Sequence, residues 1–302
     1  MNNKAPHLVQ YQGSKRILAP QIIRYMPKRF NRLLEPFSGM AAVSIAVAQE
    51  RRTGRYFIND LNAPLVRLLE TAIEEPEALA ENYHALWAKQ FAYGDDHVQH
   101  FYDVRAQFNE GDKRPEHMLY LLARCVKGSV RYGRNGHFNQ SPDKRRHGTT
   151  PQNVKANAYA ISYLLKGKST FLTFDYRELF EMAKQGDLVY MDPPYQGVTD
   201  SQDNRYLSGV PFDEFVAAVE TLNRKNVDFL ISYDGECGGK IYGEALPSEL
   251  GCKKILLNAG PSTQATLLGR KAVTFEALYV SRNLQSNMTF APCQMSLLEA
   301  TV

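Results

Sequence analysis

Short apolar runs bounded by breakers alternate along this chain with longer segments whose apolar positions recur at helical spacing. The runs at 32–36, 54–60, 171–174, 188–191, 229–233, 254–257 and 274–280 read as strands, and all but the first carry β-branched or aromatic residues. Helical periodicity covers 20–26, from about 40 to 51, 63–74, most of 75–108, 116–126, 151–165, the stretch up to about 184, and 212–224. Pro20 and Pro151 suit the first turn of a helix, where a missing N–H costs nothing. Strands alternating with helices predict an α/β chain.

The most informative strand is Leu188-Val189-Tyr190-Met191, which runs straight into Asp192-Pro193-Pro194-Tyr195. A short continuous apolar run suits a sheet interior. Two prolines cannot continue a hydrogen-bond ladder, so the chain leaves the sheet there. In open α/β sheets the carboxyl edge is where ligands bind. The turn would offer a pocket one acid, one aromatic face and free carbonyls. A strand that merely ends in an Asp-Pro turn is the plainer alternative.

Three further stretches carry candidate chemistry. Tyr11-Gln12-Gly13-Ser14-Lys15 is a polar turn ahead of the first helical segment. Glu35-Pro36-Phe37-Ser38-Gly39 leads from a strand into a helix, a geometry that brings a ligand close to backbone N–H groups. It lacks the GxGxxG spacing of a dinucleotide fold, so a structural β–α turn is an equal reading. Asp60 closes the next strand about twenty residues later, where an acid can bind both hydroxyls of a ribose or cap the helix after it.

Composition changes after residue 123. Arg124, Lys127, Arg131, Arg134, Lys144, Arg145 and Arg146 crowd together with only Asp143 opposing them. Within this stretch Arg131 to Asn139 places an Asn135-Gly136 turn between arms bearing Tyr132 and Phe138, a hairpin signal. A basic, aromatic-flanked hairpin suits phosphate and base contacts in a nucleic-acid groove; a solvated charged loop is the alternative.

Bulk properties narrow the classes. The 302 residues are 44% hydrophobic and 23% charged with a net charge of +4, ordinary for a globular protein. No apolar run approaches the ~20 residues of a membrane span, and the first residues lack an apolar leader, so a cytoplasmic protein is expected. Cys125, Cys237, Cys252 and Cys293 are scattered, which suggests neither a disulfide framework nor a zinc site. No metal is expected.

In the order and content of these segments the chain resembles the Dam-like DNA adenine-N6 methyltransferases over roughly residues 8–283: Tyr-Gln-Gly-Ser-Lys, Glu-Pro-Phe-Ser-Gly, Asn59-Asp60, an insertion, then Asp-Pro-Pro-Tyr. That resemblance implies a Rossmann-like methyltransferase fold: a mostly parallel sheet flanked by helices, with an inserted, mainly helical DNA-recognition domain carrying a β-hairpin. It implies a catalytic domain from residues 1–62 and 155–285, a target-recognition insertion at 63–154 and a C-terminal tail at 286–302. S-adenosylmethionine would be the methyl donor, contacted by Tyr11, Lys15, Pro36, Phe37, Ser38, Gly39, Asp60, Asp175, Tyr176 and Asp192. Met40-Ala41 stands where the family usually has a second glycine, so the turn must be made with an alanine.

The catalytic set implied is Asp192, Pro193, Pro194 and Tyr195. The Asp192 carboxylate and Pro193 carbonyl would accept from an exocyclic amine, which attacks the methyl in line, while Tyr195 stacks on a flipped base. Double-stranded DNA would be held by Arg124, Lys127, Arg131, Tyr132, Arg134, Asn135, His137, Asn139, Lys144, Arg145 and Arg146. A cognate restriction endonuclease acting separately is a further partner the resemblance allows, in a bacterial, archaeal or phage-encoded setting. Methylation of RNA or of cytosine N4 is the nearest alternative, although those N4 enzymes more often carry Ser at the Asp192 position and protein-glutamine enzymes Asn. A catalytically silent nucleic-acid-binding module is the alternative from another class.

Overall fold

The structure, a computed structural model, describes residues 5–194, 210–237, 240–242, 245–261 and 273–285. Its sheet runs β3 (Ser169–Leu172), β2 (Tyr56–Asn59), β1 (Leu33–Glu35), β4 (Leu188–Met191), β5 (Asp228–Cys237), β8 (Val273–Val280), β7 (Lys253–Pro261), with β6 (Lys240–Tyr242) paired to β5 off this path. The first five are parallel and β8 is antiparallel to both its neighbours. The expected mostly parallel α/β sheet is therefore present.

Side-chain alternation assigns the two faces. Leu188 and Tyr190 of β4 join Leu33, Ile58, Leu230, Leu278 and Val280 in one apolar core. Val189 and Met191 join Leu34, Phe229, Ile231, Ala277 and Tyr279 in the other. Every residue of β1 and β4 is buried, as expected of strands covered on both faces. The first core takes in α1 (Ala19–Ile22), α2 (Ala42–Gln49), α3 (Ala63–Glu74), α4 (Pro76–Lys89), α5 (His97–Glu110), α6 (Pro115–Arg124) and α7 (Pro151–Leu165). The second is covered by α8 (Tyr176–Met182) and α9 (Phe212–Arg224). A last short helix, α10 (Arg282–Gln285), follows β8. No helix among the described residues is long and apolar enough to cross a membrane.

The predicted helices at 63–74, 151–165 and 212–224 have the observed bounds. The long helical pattern at 75–108 divides, because Gly94 adopts φ 57° and ψ −127° inside the short 3-10 segment Gln90–Asp96. Strand β6 has no counterpart in the sequence reading. At the base of the sheet Asp187, 2% exposed, pairs with Arg32, whose Nε donates to Oδ1 at 2.9 Å. This pair ties the starts of β1 and β4 together, so their carboxyl ends emerge side by side.

Candidate active site

Strand order reverses between β1 and β4, the point at which open α/β sheets leave a crevice beyond their carboxyl ends. A cavity of about 340 Å³ opens there. Its walls come from the Tyr11–Lys15 segment, the turn after β1, Asp60 to Asn62 after β2, Tyr190 and Asp192 to Pro194 at β4, and Ser129, Val130 and Tyr132 from the stretch between α6 and α7. Segments as far apart in sequence as Tyr11 and Pro194 thus share one hollow.

The turn after β1 is built against conformational preference. Gly39 takes φ 50° and Ala41 φ 52°, so two of three consecutive residues are left-handed. The alanine does make the turn: Ala41 is the N-cap of α2 and its N–H donates to the Ser38 carbonyl at 2.7 Å. Asp60 braces the turn from β2. Its Oδ2 accepts from the Gly39 N–H and its Oδ1 from the Asn62 N–H, each at 2.9 Å. Burial raises the Asp60 carboxyl above the usual carboxylate range, against the lowering effect of these two amides. Asn62, not Asp60, is the N-cap residue of α3.

Gly39 also leaves room: a β-carbon there would lie 3.1 Å from Cε1 of the Tyr11 ring. The Tyr11 segment is tied to the stretch between α6 and α7, since the Gln12 N–H donates to the Gly128 carbonyl at 3.0 Å. Gly128 packs so tightly that a β-carbon would sit 1.9 Å from the Gln10 carbonyl oxygen.

Asp192 follows the last residue of β4 and pairs with Lys15, whose Nζ lies 3.1 Å from Oδ1. Lys15 is only 6% exposed, and its ammonium also lies 2.9 Å from Oε2 of Glu276 on β8. Glu35, 3% exposed, ends β1 in the same cavity wall and accepts from the Ser44 N–H at 3.1 Å and from the Ser44 hydroxyl. Burial pushes its carboxyl up to about 8; the Ser44 hydrogen bonds oppose this and the nearby Asp192 charge adds to it. At neutral pH Glu35 is therefore mostly protonated. Sequence reasoning named Glu35 within the Glu-Pro-Phe-Ser-Gly segment but gave it no role, and it passed over Glu276, whose signal was an acid inside an otherwise apolar strand.

Of the expected cofactor contacts, Tyr11, Lys15, Phe37, Ser38, Gly39, Asp60 and Asp192 line the cavity. Pro36 lies in the turn behind them, its carbonyl accepting from Asn59 Nδ2 at 3.0 Å. Asp175 and Tyr176 are not in this wall. Asp175 caps α8 in a reciprocal box with Glu178 and binds Arg177, which holds its carboxyl below the usual range. Tyr176 is buried behind Phe37, ring centroids 5.4 Å apart. Among the expected catalytic residues Asp192, Pro193 and Pro194 all line the cavity; Tyr195 lies outside the described residues.

The basic stretch divides in two. Lys127, Arg131, Arg134, Asn135, His137, Asn139, Lys144, Arg145 and Arg146 are exposed. The hairpin forms around a single Tyr132–Phe138 bridge, with the Gly136 N–H donating to the Gly133 carbonyl at 2.9 Å. Arg124 and Tyr132 correct the expectation. Arg124 is 0% exposed and its Nη1 donates to the Asp143 carbonyl at 3.0 Å, tying α6 to the loop that bears Lys144 to Arg146. Tyr132 is buried in the cavity wall, and its hydroxyl donates to Asn62 Oδ1 at 3.0 Å. Neither belongs to the exposed basic face; a charge count along a sequence does not separate a supporting arginine from a presented one.

A family profile described as D12 class N6 adenine-specific DNA methyltransferase matches residues 11–255. The chain belongs to this family. The D12-class chain is 28% identical over 239 residues to the DNA N-6-adenine-methyltransferase of Escherichia phage P1, covering 76% of this chain and 30% of that protein. It is 27% identical over 196 residues to the retron Ec67 DNA adenine methylase of Escherichia coli, covering 63% and 64%. With the type II methyltransferase M1.LlaDCHI of Lactococcus lactis subsp. cremoris it shares 28% over 198 residues, covering 62% and 64%. The matched region spans less than two thirds of each of these relatives. The profile takes in the Tyr11–Lys15 segment, the turn after β1, the stretch between α6 and α7, and Asp192, so the cavity is built from family sequence.

Proposed function

We propose that this D12-class chain transfers a methyl group from S-adenosylmethionine to N6 of an adenine in duplex DNA. The observation that carries the reading is Asp192, set at the carboxyl end of the central strand, paired with a buried lysine and open to the cavity between β1 and β4.

The cavity suits such a donor in three respects. Its volume lies within the ~300–1,000 Å³ range of small-molecule sites. The Ser38 hydroxyl is buried without a hydrogen-bond partner among the described residues, and Gly39 exposes backbone where a side chain would collide with Tyr11. Asp192 and Glu276 set two carboxylates beside the Lys15 ammonium, a favourable setting for a sulfonium. The bound cofactor supplies an activated methyl group. Tyr11, Phe37, Ser38 and Gly39 would hold its methionine side, and Asp60 its ribose.

The protein's own part is positioning and electrostatics. An exocyclic amine is a weak nucleophile because its lone pair is delocalised into the ring. Asp192 and the Pro193 carbonyl accept from its two hydrogens, which favours a pyramidal nitrogen with its lone pair free for in-line attack. The surplus proton then leaves through Asp192 to water. A base inside a stacked duplex cannot reach this crevice, so the target is flipped out. The exposed cations from Lys127 to Arg146 would grip the phosphates around it. In this reading residues 63–154 form the recognition unit, which also lends Ser129, Val130 and Tyr132 to the cavity. A role beside a restriction endonuclease is compatible with the naming of the Lactococcus relative.

The test is transfer of labelled methyl groups to duplex DNA, with the product base identified by mass spectrometry. N6-methyladenine is expected from the wild-type chain. Asp192→Ala should lose at least ~10² in rate, as removal of a transition-state acceptor does, while still binding DNA. Methylated cytosine, or undiminished transfer by the variant, would overturn the reading.

A further inference from the structure

Lys15 faces two carboxylates from different strands. Asp192 leaves the end of β4, and Glu276 sits within β8, in register with Gly235 of β5 and Leu257 of β7. β5 lies between β4 and β8, so the two acids reach one ammonium across an intervening strand. Glycine at 235 permits the close approach of the β8 backbone beside Glu276, because a β-carbon there would lie 2.8 Å from the Phe275 carbonyl oxygen, and the ladder shifts register between Ser232 and Gly235. The ammonium is 2.9 Å from Glu276 and 3.1 Å from Asp192.

The methyl transfer proposed above gives Asp192 two competing tasks: its Oδ1 pairs with Lys15 at rest, yet the same carboxylate must accept from the target amine. A carboxylate drawn toward an ammonium is a weakened acceptor, and a buried ammonium left without a counter-ion is strongly disfavoured. We propose that Glu276 is a positioning residue of this site, retaining the Lys15 ammonium while Asp192 turns its carboxylate to the amine. This rests on the reading of Asp192 as the amine's acceptor. Glu276 touches neither reacting atom; it acts through Lys15.

The groups around Asp192 set the direction of the test. Among the described residues they include Lys15 on the segment before α1, Glu35 at the end of β1, Tyr190 on β4, whose hydroxyl pairs with Ser232 at 2.8 Å, and Glu276 beyond the ammonium. Glu276→Gln removes a negative neighbour and ends the competition of that carboxylate with Asp192 for the Lys15 ammonium. Both changes lower the proton affinity of Asp192. Activity then falls although more of Asp192 is ionised, a combination that general loosening of the site does not produce.

The experiment compares wild type, Glu276→Gln and Glu276→Asp as full chains. It measures kcat and both KM values across about pH 5–9, with a ¹³C-carboxyl NMR titration of Asp192 in the protein alone, assigned through Asp192→Asn. For Glu276→Gln the expected result is a kcat at least ~10-fold lower with KM values within ~3-fold of wild type, a split marking a defect in the chemical step. Its acid limb and its Asp192 titration should both move to lower pH. Glu276→Asp keeps the charge and should keep the wild-type limb while recovering part of kcat. Unchanged kcat in Glu276→Gln, or an Asp192 titration that does not move, would overturn the proposal. If Glu276→Gln does not fold, the aspartate variant decides: a displaced limb counts against it and a retained limb supports it. A wild type inactive on adenine would instead refute the reading beneath it.

Discussion

Replacing Glu35 by Gln isolates the energetic consequence of an acid buried at the end of β1. The amide keeps the shape and can accept from Ser44 as the carboxyl does, but it cannot ionise. With its carboxyl pushed up to about 8 from an ordinary 4.5, the folded state holds a proton that the unfolded chain releases. The stabilisation is complete below the unfolded value and is lost as pH rises through the folded one. The whole interval corresponds to about 5 kcal/mol at ~1.4 kcal/mol per pH unit, and the part falling between about pH 6 and 8 to about 2 kcal/mol. Urea denaturation of both proteins at several pH values measures it. The difference in unfolding free energy, wild type minus variant, should fall by about 2 kcal/mol over that range. Parallel stability curves would mean that Glu35 is ionised in its buried setting, and the charge balance drawn for the cavity would then be wrong.

Two other comparisons separate supporting residues from presented ones. Arg124→Ala should cost about 2–3 kcal/mol in stability, because it empties a buried site and leaves the Asp143 carbonyl without its donor. Arg134→Ala should stay within ~0.5 kcal/mol of wild type in stability yet weaken DNA binding and reduce the salt slope by about 1; equal stability losses would refute the distinction. Gly128→Ala should destabilise by more than about 3 kcal/mol and weaken cofactor binding, since its β-carbon meets the Gln10 carbonyl in the segment that carries Tyr11. Gly136→Ala shares a positive φ but meets no atom within 4 Å, so thermal unfolding should register only about 1 kcal/mol.

Local pattern determined much of this protein. Continuous apolar runs identified buried strands, helical periodicity bounded three helices, and Asp192-Pro193-Pro194 announced an exit at the carboxyl edge of a sheet. Those features depend on neighbours a few residues apart, and such neighbours are visible in a sequence. The tertiary structure decided which residues meet. Strand order placed β8 two strands from β4 and so set Glu276 against Lys15 and Asp192. Packing buried Arg124 and Tyr132 while leaving their basic neighbours exposed. Burial also moved Glu35 to a protonation state its residue type alone does not suggest. Periodicity says that a side chain points inward; only the assembled strands and loops say what it meets there, and charge and hydrogen bonding follow from that encounter.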